Sequence, residues 1–506
     1  RANQGEVTIS GLRGSAPALV SAELTAQTTC CLIVPDEHHV SLAEQDLRLF
    51  TKANVLVYPG YEIPPYTPLS PDQRTIAARL STLYALQENR GNTIVVTSIE
   101  ATMRRVLPRP VLAGSAELIM AGENLDQQDL VDSLINSGYE QVALVRGVGD
   151  FSVRGGIMDI YPPPFLTADN TFHDGPLRLD FFGDTVESLR SFDRISQRSL
   201  QEIEEAILLP VTDLLFDKRN ALQARALLRQ FRQKALQHHW DEDHTATLFE
   251  RIETIGRFAG AEFFLPLFYQ QYDEPTHSFF DYLPQDCTII MDDPAACRKN
   301  GALIYERIAG NFTETANSHS PALPPQDLFL DDDAITAEID RFNRVLLSDF
   351  SEDASPPILF KSTNHRLLKQ DIDMQRRKRG LLAPLVDQLI EWQHHDDCRI
   401  VICCRSDRHA KTLAELLGKR GYDIEISGVP LDVDTLPANA TITLVAHPLH
   451  QGFSRVEKNI HILSESELFG EMRLGSRAKK REPQKEAVQF AELNHGVTIV
   501  HRDHGL

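Results

Sequence analysis

The stretch Gly11-Leu-Arg-Gly14-Ser-Ala-Pro17-Ala18-Leu-Val, just ahead of an apolar run at 29–34, is spaced like a loop that cradles phosphate at a helix start. Such a loop needs glycines for close backbone approach, a lysine on the outer phosphates and a Ser or Thr hydroxyl on Mg2+. With Gly11 and Gly14 set on that pattern, Pro17 takes the place of the lysine and Ala18 that of the hydroxyl. Proline also deletes one of the cradling N–H donors. The acidic partner is equally incomplete. Asp286-Cys-Thr-Ile-Ile-Met-Asp-Asp-Pro294 is an apolar strand pattern ending in Asp292-Asp293-Pro294, where an ATP-hydrolysing site would carry Asp-Glu, a small residue and His. An Asp pair after a strand also reads as a turn or cap. Gly11, Gly14, Pro17, Ala18, Asp292 and Asp293 are therefore either the remnant of a nucleotide site or an ordinary capped helix start. ATP hydrolysis is not expected from them.

A second chemistry is recognition. Over 177–182 the side chains of a strand alternate faces, with Leu177, Leu179 and Phe181 on one side and Arg178, Asp180 and Phe182 on the other. The first set is expected to be core. The second puts an arginine and a phenylalanine on a wet face, and these residue types are enriched in interface hot spots. Arg154 points away from Phe151 and Val153 and can join them. On this reading Arg178→Ala and Phe182→Ala leave the fold nearly untouched, whereas Leu179→Ala opens a cavity. Residues 115–210 carry 6 Lys/Arg against 17 Asp/Glu, which suits a protein partner better than a DNA backbone. The runs His238-His-Trp-Asp-Glu-Asp-His244 and His394-His-Asp-Asp-Cys398 lack the spacing of a closed zinc site. The basic runs Arg376-Arg-Lys-Arg379 and Arg477, Lys479, Lys480, Arg481 read as a solvated helix face and a linker.

These residues need elements to position them. The first ~110 residues alternate β-branched runs (29–34, 55–58, 93–97) with a helical pattern over 74–86, which predicts α/β layering around a parallel sheet. A proline-rich loop interrupts it at 59–71. From about 115 the texture changes to one helix (126–135) and then short alternating segments at 141–145, 152–161, 176–182 and 185–192, an α+β insert. After 207–210 the chain is expected to return to helices and an apolar strand at 287–291. A third α/β unit follows a loop at 318–326, with strands at 399–404, 422–426, 441–445 and 459–463.

With 506 residues, about three to four domains are expected. Net charge of −21 argues against a surface wrapped in nucleic acid, although a local basic patch is compatible with it. No run approaches the ~20 apolar residues of a membrane span, and no signal-like segment opens the chain. Seven cysteines, with neighbours at Cys30/Cys31 and Cys403/Cys404, suggest reduced buried thiols and a cytoplasmic protein. Val497-Thr-Ile-Val500 starts a further strand and the sequence stops almost at once, so the chain reads as a fragment.

The segment Gly149-Asp-Phe-Ser-Val-Arg-Gly-Gly-Ile-Met-Asp-Ile-Tyr-Pro-Pro163, with Leu177-Arg-Leu-Asp-Phe-Phe-Gly-Asp184, Val186-Glu-Ser-Leu-Arg-Ser-Phe-Asp193 and Gln197-Arg-Ser-Leu200, resembles the region shared by bacterial transcription-repair coupling factors (the Mfd family) and the excision-repair protein UvrB. Tyr66-Thr-Pro-Leu-Ser-Pro-Asp72, Ser464-Glu-Ser-Glu-Leu-Phe-Gly470 and Val500-His-Arg-Asp-His-Gly505 favour the coupling factors, as does the absent lysine. The resemblance runs over nearly the whole chain, densest at 145–210 and weakest at 320–440. It implies a degenerate UvrB/helicase-like parallel-sheet domain split by an inserted α+β domain and followed by a second α/β domain. The boundaries are 1–114 for domain 1a, 115–210 for domain 2, 211–325 for domain 1b and 326–470 for domain 3. A linker at 471–487 would precede the start of an RNA-polymerase-interacting domain at 488–506. In the family domain 2 binds UvrA, and Arg154, Arg178, Phe182 and Asp184 match the contacting positions. DNA, ATP and Mg2+ would belong to motor domains beyond this chain, which itself would need no cofactor and touch no membrane. The competing readings are a UvrB-like ATP-dependent DNA-damage helicase and a DNA-binding module using the basic runs.

Overall fold

The computed structural model describes residues 5–469 except 89–91, 168–170, 216–220, 255–257, 350–357, 380–381, 395–396 and 438–440. The linker and polymerase-domain assignments at 471–506 lie outside the described residues, as do Arg477, Lys479, Lys480 and Arg481.

Apolar runs such as Cys30–Val34 and Thr93–Ser98 are buried along their whole length, the pattern of strands covered on both faces. They lie in a seven-stranded sheet, all of whose neighbours pair in parallel. Its order is Ile358–Leu359, Glu6–Ser10, Asn343–Ser348, Thr288–Asp292, Cys30–Val34, Thr93–Ser98, Asn54–Tyr58. The fold class is α/β, with the large parallel sheet expected from a UvrB-like arrangement.

Two features of this sheet differ from expectation. The strand Glu6–Ser10 escapes sequence reading because its alternation is short and its first residues are exposed. The third unit was expected from 326, yet the helix Asp332–Ile339 leads into Asn343–Ser348, which sits between Glu6–Ser10 and Thr288–Asp292. The 325/326 boundary therefore cuts through the first sheet. A strand contributed so late leaves no local mark, since parallel pairing carries no hairpin signal.

The insert leaves and re-enters through one neck, where Glu117–Met120 pairs antiparallel with Glu205–Leu208. The return at 207–210 is thus made by a strand, and the helices Ala221–His238 and Glu242–Thr254 come after it. Within the insert six strands run in the order Ser199–Glu202, Thr185–Phe192, Leu177–Phe182, Ile157–Ile160, Asp150–Arg154, Glu140–Gln141. The strand expected over 141–145 stops at Gln141. Helix Gln127–Asn136, capped by the Asp126 carboxylate on the N–H groups of Gln128 and Asp129, covers one sheet face with Leu130 and Leu134. A cap of this kind contributes about 1 kcal/mol.

A second sheet of six strands follows, ordered Ser362–Thr363, Phe453–Arg455, Ile460–Ser464, Arg399–Cys403, Thr441–Val445, Asp423–Ser427. It shares a core with the first: Leu32, Val34 and Ile290 pack in one cluster with Val401, Val445, Phe453 and Ile462. All seven cysteines are buried and unpaired. Among the described residues no helix is long and apolar enough to cross a membrane.

Candidate partner-docking face

The insert sheet has one dry face and one polar face. Phe151, Met158, Ile160, Leu177, Leu179 and Leu189 fill the dry side under the helix. On the polar side the register brings Ser152, Asp159, Arg178 and Arg190 into one row across four strands. The next row holds Arg154, Ile157, Asp180 and Ser188.

Asp159 organises the first row. It is 1% exposed, and a charge so buried needs partners. Arg178 supplies two hydrogen bonds, Nε to Oδ1 at 2.6 Å and Nη2 to Oδ2 at 3.0 Å. Arg154 Nη2 reaches the same Oδ2. The Arg178 guanidinium also lies 4.8 Å over the Phe192 ring and donates from Nη1 to the Gln197 carbonyl at 3.3 Å. Asp159 and Asp180 hold Arg178 above its ordinary range, chiefly through the Asp159 hydrogen bonds. Arg154 stays half exposed while Arg178 is largely covered.

The sequence reading of this face needs one correction. Arg178 is not free on a wet surface, and replacing it would strand a buried carboxylate. Asp159 was missed altogether. Its signal was present: an acid inside the apolar run Ile157-Met-Asp-Ile160 demands a cationic partner from a neighbouring strand.

Phe182 stands differently. Strands Leu177–Phe182 and Thr185–Phe192 are joined by a two-residue turn, and Gly183 takes the positive φ of 62° that its first position requires. A register shift after Asp180 leaves Glu187 as the extra residue, a β-bulge that turns the tip. Phe181 stays packed on the insert core while Phe182 is 80% exposed. Asp184 is exposed beside it, and its carbonyl accepts the Leu125 N–H at 2.7 Å. Arg190 of the first row reaches across with Nη2 to Asp180 of the second, whose carboxylate also accepts the Ser188 hydroxyl at 2.7 Å. A concavity of about 520 Å3 opens there, between Ile157, Phe181 and Arg190.

The glycine loop lies far along the chain from this face. Gly11 and Gly14 both take positive φ, 78° and 56°, and helix Ala16–Thr25 carries Pro17 in its first turn. The space before that helix is filled by protein. Ser15 N–H donates to the Gln451 carbonyl at 3.0 Å, and Arg13 N–H to Ser362 Oγ at 2.8 Å. A Cβ on Gly14 would stand 2.5 Å from the Gly452 carbonyl oxygen. The Ser15 hydroxyl is spent on Asp46 at 2.6 Å, and the other Asp46 oxygen accepts the His450 N–H at 2.8 Å. The main-chain oxygens of Gln451 and Gly452 thus pack directly against the loop. Asp293 caps helix Pro294–Asn317 through the Ala296 N–H. Asp292 is held up to about 6 by burial and by the charge of Asp293. Among the described residues no group of three or more His, Cys, Asp or Glu is arranged for a metal ion.

Residues 118–214 match the family model of the UvrB interaction domain. The whole chain is similar to the N-terminal region of transcription-repair-coupling factors. It is 27% identical to that of Myxococcus xanthus, covering 100% of this chain and 42% of the relative. With that of Escherichia coli it shares 28% identity over 99% of this chain and 42% of the relative. For Haemophilus influenzae the figures are 26%, 97% and 41%. The chain therefore spans about two fifths of the length of these relatives.

Proposed function

We propose that this chain, similar along its length to the N-terminal region of transcription-repair-coupling factors, is the part of such a protein that docks UvrA through the polar face of its insert. The observation that carries the reading is the pairing of two states on one surface. Arg154 and Arg178 are locked onto buried Asp159, while Phe182 is left 80% exposed at the hairpin tip. Prearranged arginines lose little entropy on binding, and an exposed aromatic gains most from desolvation. Asp184, beside Phe182, is a fourth contact in this proposal.

The docking role needs no catalysis from the chain. The loop at 11–18 is proposed to be a structural joint between the two large sheets, with no nucleotide turned over there. RNA polymerase and DNA belong, in this reading, to the longer proteins in which the insert would present UvrA at a stalled transcript. A calorimetric titration of the chain with purified UvrA tests the proposal. Saturable binding that weakens in Phe182→Ala is expected; no binding at micromolar concentrations overturns it.

A further inference from the structure

The second large sheet reverses its strand order beside Arg399–Cys403. The strands Asp423–Ser427 and Thr441–Val445 lie to one side of it and Ile460–Ser464 to the other. In open α/β sheets the crevice beyond the carboxyl ends of strands at such a point is where ligands settle. Here it holds a cavity of about 630 Å3, in the ~300–1,000 Å3 range of small-molecule sites. Unlike the space before Ala16–Thr25, it is filled by no segment among the described residues.

Its walls divide by chemistry. Glu467, 6% exposed, accepts the N–H groups of Gly452 and Ser464 on Oε2, each at 3.0 Å. His365, 5% exposed, shares Ser454 Oγ through Nε2 at 2.7 Å. Its Nδ1 lies 3.6 Å from Glu467 Oε2 and has no hydrogen bond among the described residues. That nitrogen is closed off from solvent between Gly452 and the Glu467 carboxylate. The outer wall carries charges of both signs. Arg366 and Lys369, both exposed, stand one turn apart at the start of helix Arg366–Arg379, with Asp373 one turn further on and Arg405 held 3.9 Å from Glu465. Neither the Arg366 nor the Lys369 side chain has a hydrogen bond or ion pair among the described residues. Half-buried Pro448 supplies apolar surface between the two walls, over the buried Leu449.

We propose that this cavity binds a mononucleotide. The phosphate sits at Arg366 and Lys369, where the helix N-terminus adds to their charge. The base lies on Pro448 with its polar edge toward Ser466 and Glu467. Inorganic phosphate alone would use only the outer wall, and a free amino acid would leave most of the volume empty. Because Gln45 of the first unit also lines the cavity, bound nucleotide would bridge the two large sheets. This site is independent of the UvrA-docking face.

The test uses the whole chain with AMP, GMP, CMP, UMP and inorganic phosphate, each at about 5 mM, read by thermal unfolding and by titration calorimetry. At least one nucleotide should raise Tm by about 2 °C or more, with phosphate giving less than half of that. The double variant Arg366→Ala/Lys369→Ala should keep its unliganded Tm and lose the shift. Should that variant fold poorly, Lys369→Gln read by calorimetric affinity decides in its place, with a weakening of about fivefold or more expected. The proposal is overturned if no nucleotide shifts Tm, if phosphate alone gives the full shift, or if binding survives the substitutions.

Discussion

Asp159 and Arg178, 19 positions apart in sequence, form a two-point ion pair across neighbouring strands, with the carboxylate almost wholly sealed from water. The pair makes Arg178 part of the fold as well as of the proposed docking face. Its geometry separates what each residue there should do when replaced.

Breaking the pair from the acid side should be costly. Asp159→Ala strands two arginines, one of them largely covered, and is expected to lose about 3–5 kcal/mol of stability. Arg178→Ala should lose a similar amount because it leaves the buried carboxylate with Arg154 alone. Urea unfolding at neutral pH measures both. Stability of Arg178→Ala within ~0.5 kcal/mol of the parent would show the pair to be energetically idle.

Phe182 should behave in the opposite way. Phe182→Ala is expected to leave stability within about 0.5 kcal/mol while weakening UvrA binding by about 2 kcal/mol, a factor of roughly 30. Leu179→Ala, on the dry face and 0% exposed, should lose about 2–5 kcal/mol of stability. Measured side by side, the two substitutions should cross. A melted Phe182→Ala beside an intact Leu179→Ala would mean that the strand faces the other way.

Restoring one missing residue should not restore nucleotide chemistry. Pro17→Lys is expected to show no phosphate release from ATP above the unmutated chain. Ala18 still lacks the hydroxyl, and the Gln451 and Gly452 carbonyls still occupy the cradle. A turnover assay with Mg2+ checks this, and measurable release from the single variant would refute it.

The joint between the two sheets should respond to pH through Asp46. Burial lifts this carboxyl from 3.8 to about 7, against the hydrogen bonds from Ser15 and His450 that favour its charged form. Between those two values the unfolded chain has released the proton and the folded chain still holds it. Stability from this group therefore falls as pH rises from about 4 to 7, with a slope of at most ~1.4 kcal/mol per pH unit. Urea midpoints at pH 5 and pH 7.5 should drop more steeply in the parent than in Asp46→Asn. Equal slopes would remove Asp46 from the account.

Much of this was open to reading in one dimension because it is local. The alternation over 177–182 separates Leu179 from Phe182, since side chains of a strand must point to opposite faces. That Pro17 and Ala18 stand where a phosphate loop would carry its lysine and its hydroxyl is likewise read from residue types alone. Other relationships were not legible. Nothing near Arg178 announces Asp159, because partners across an antiparallel sheet are set by register. The strand Asn343–Ser348 enters the first sheet after more than 300 residues, and parallel pairing leaves no turn signal to mark it. The oxygens that fill the glycine loop come from Gln451 and Gly452, brought there by a core shared between two sheets. Chain order alone therefore specifies which residue types each strand shows to water and which side chains stand along the glycine loop. Only the tertiary structure decided which buried charge meets which partner, because the free energy of burying a charge depends on neighbours that chain order does not specify.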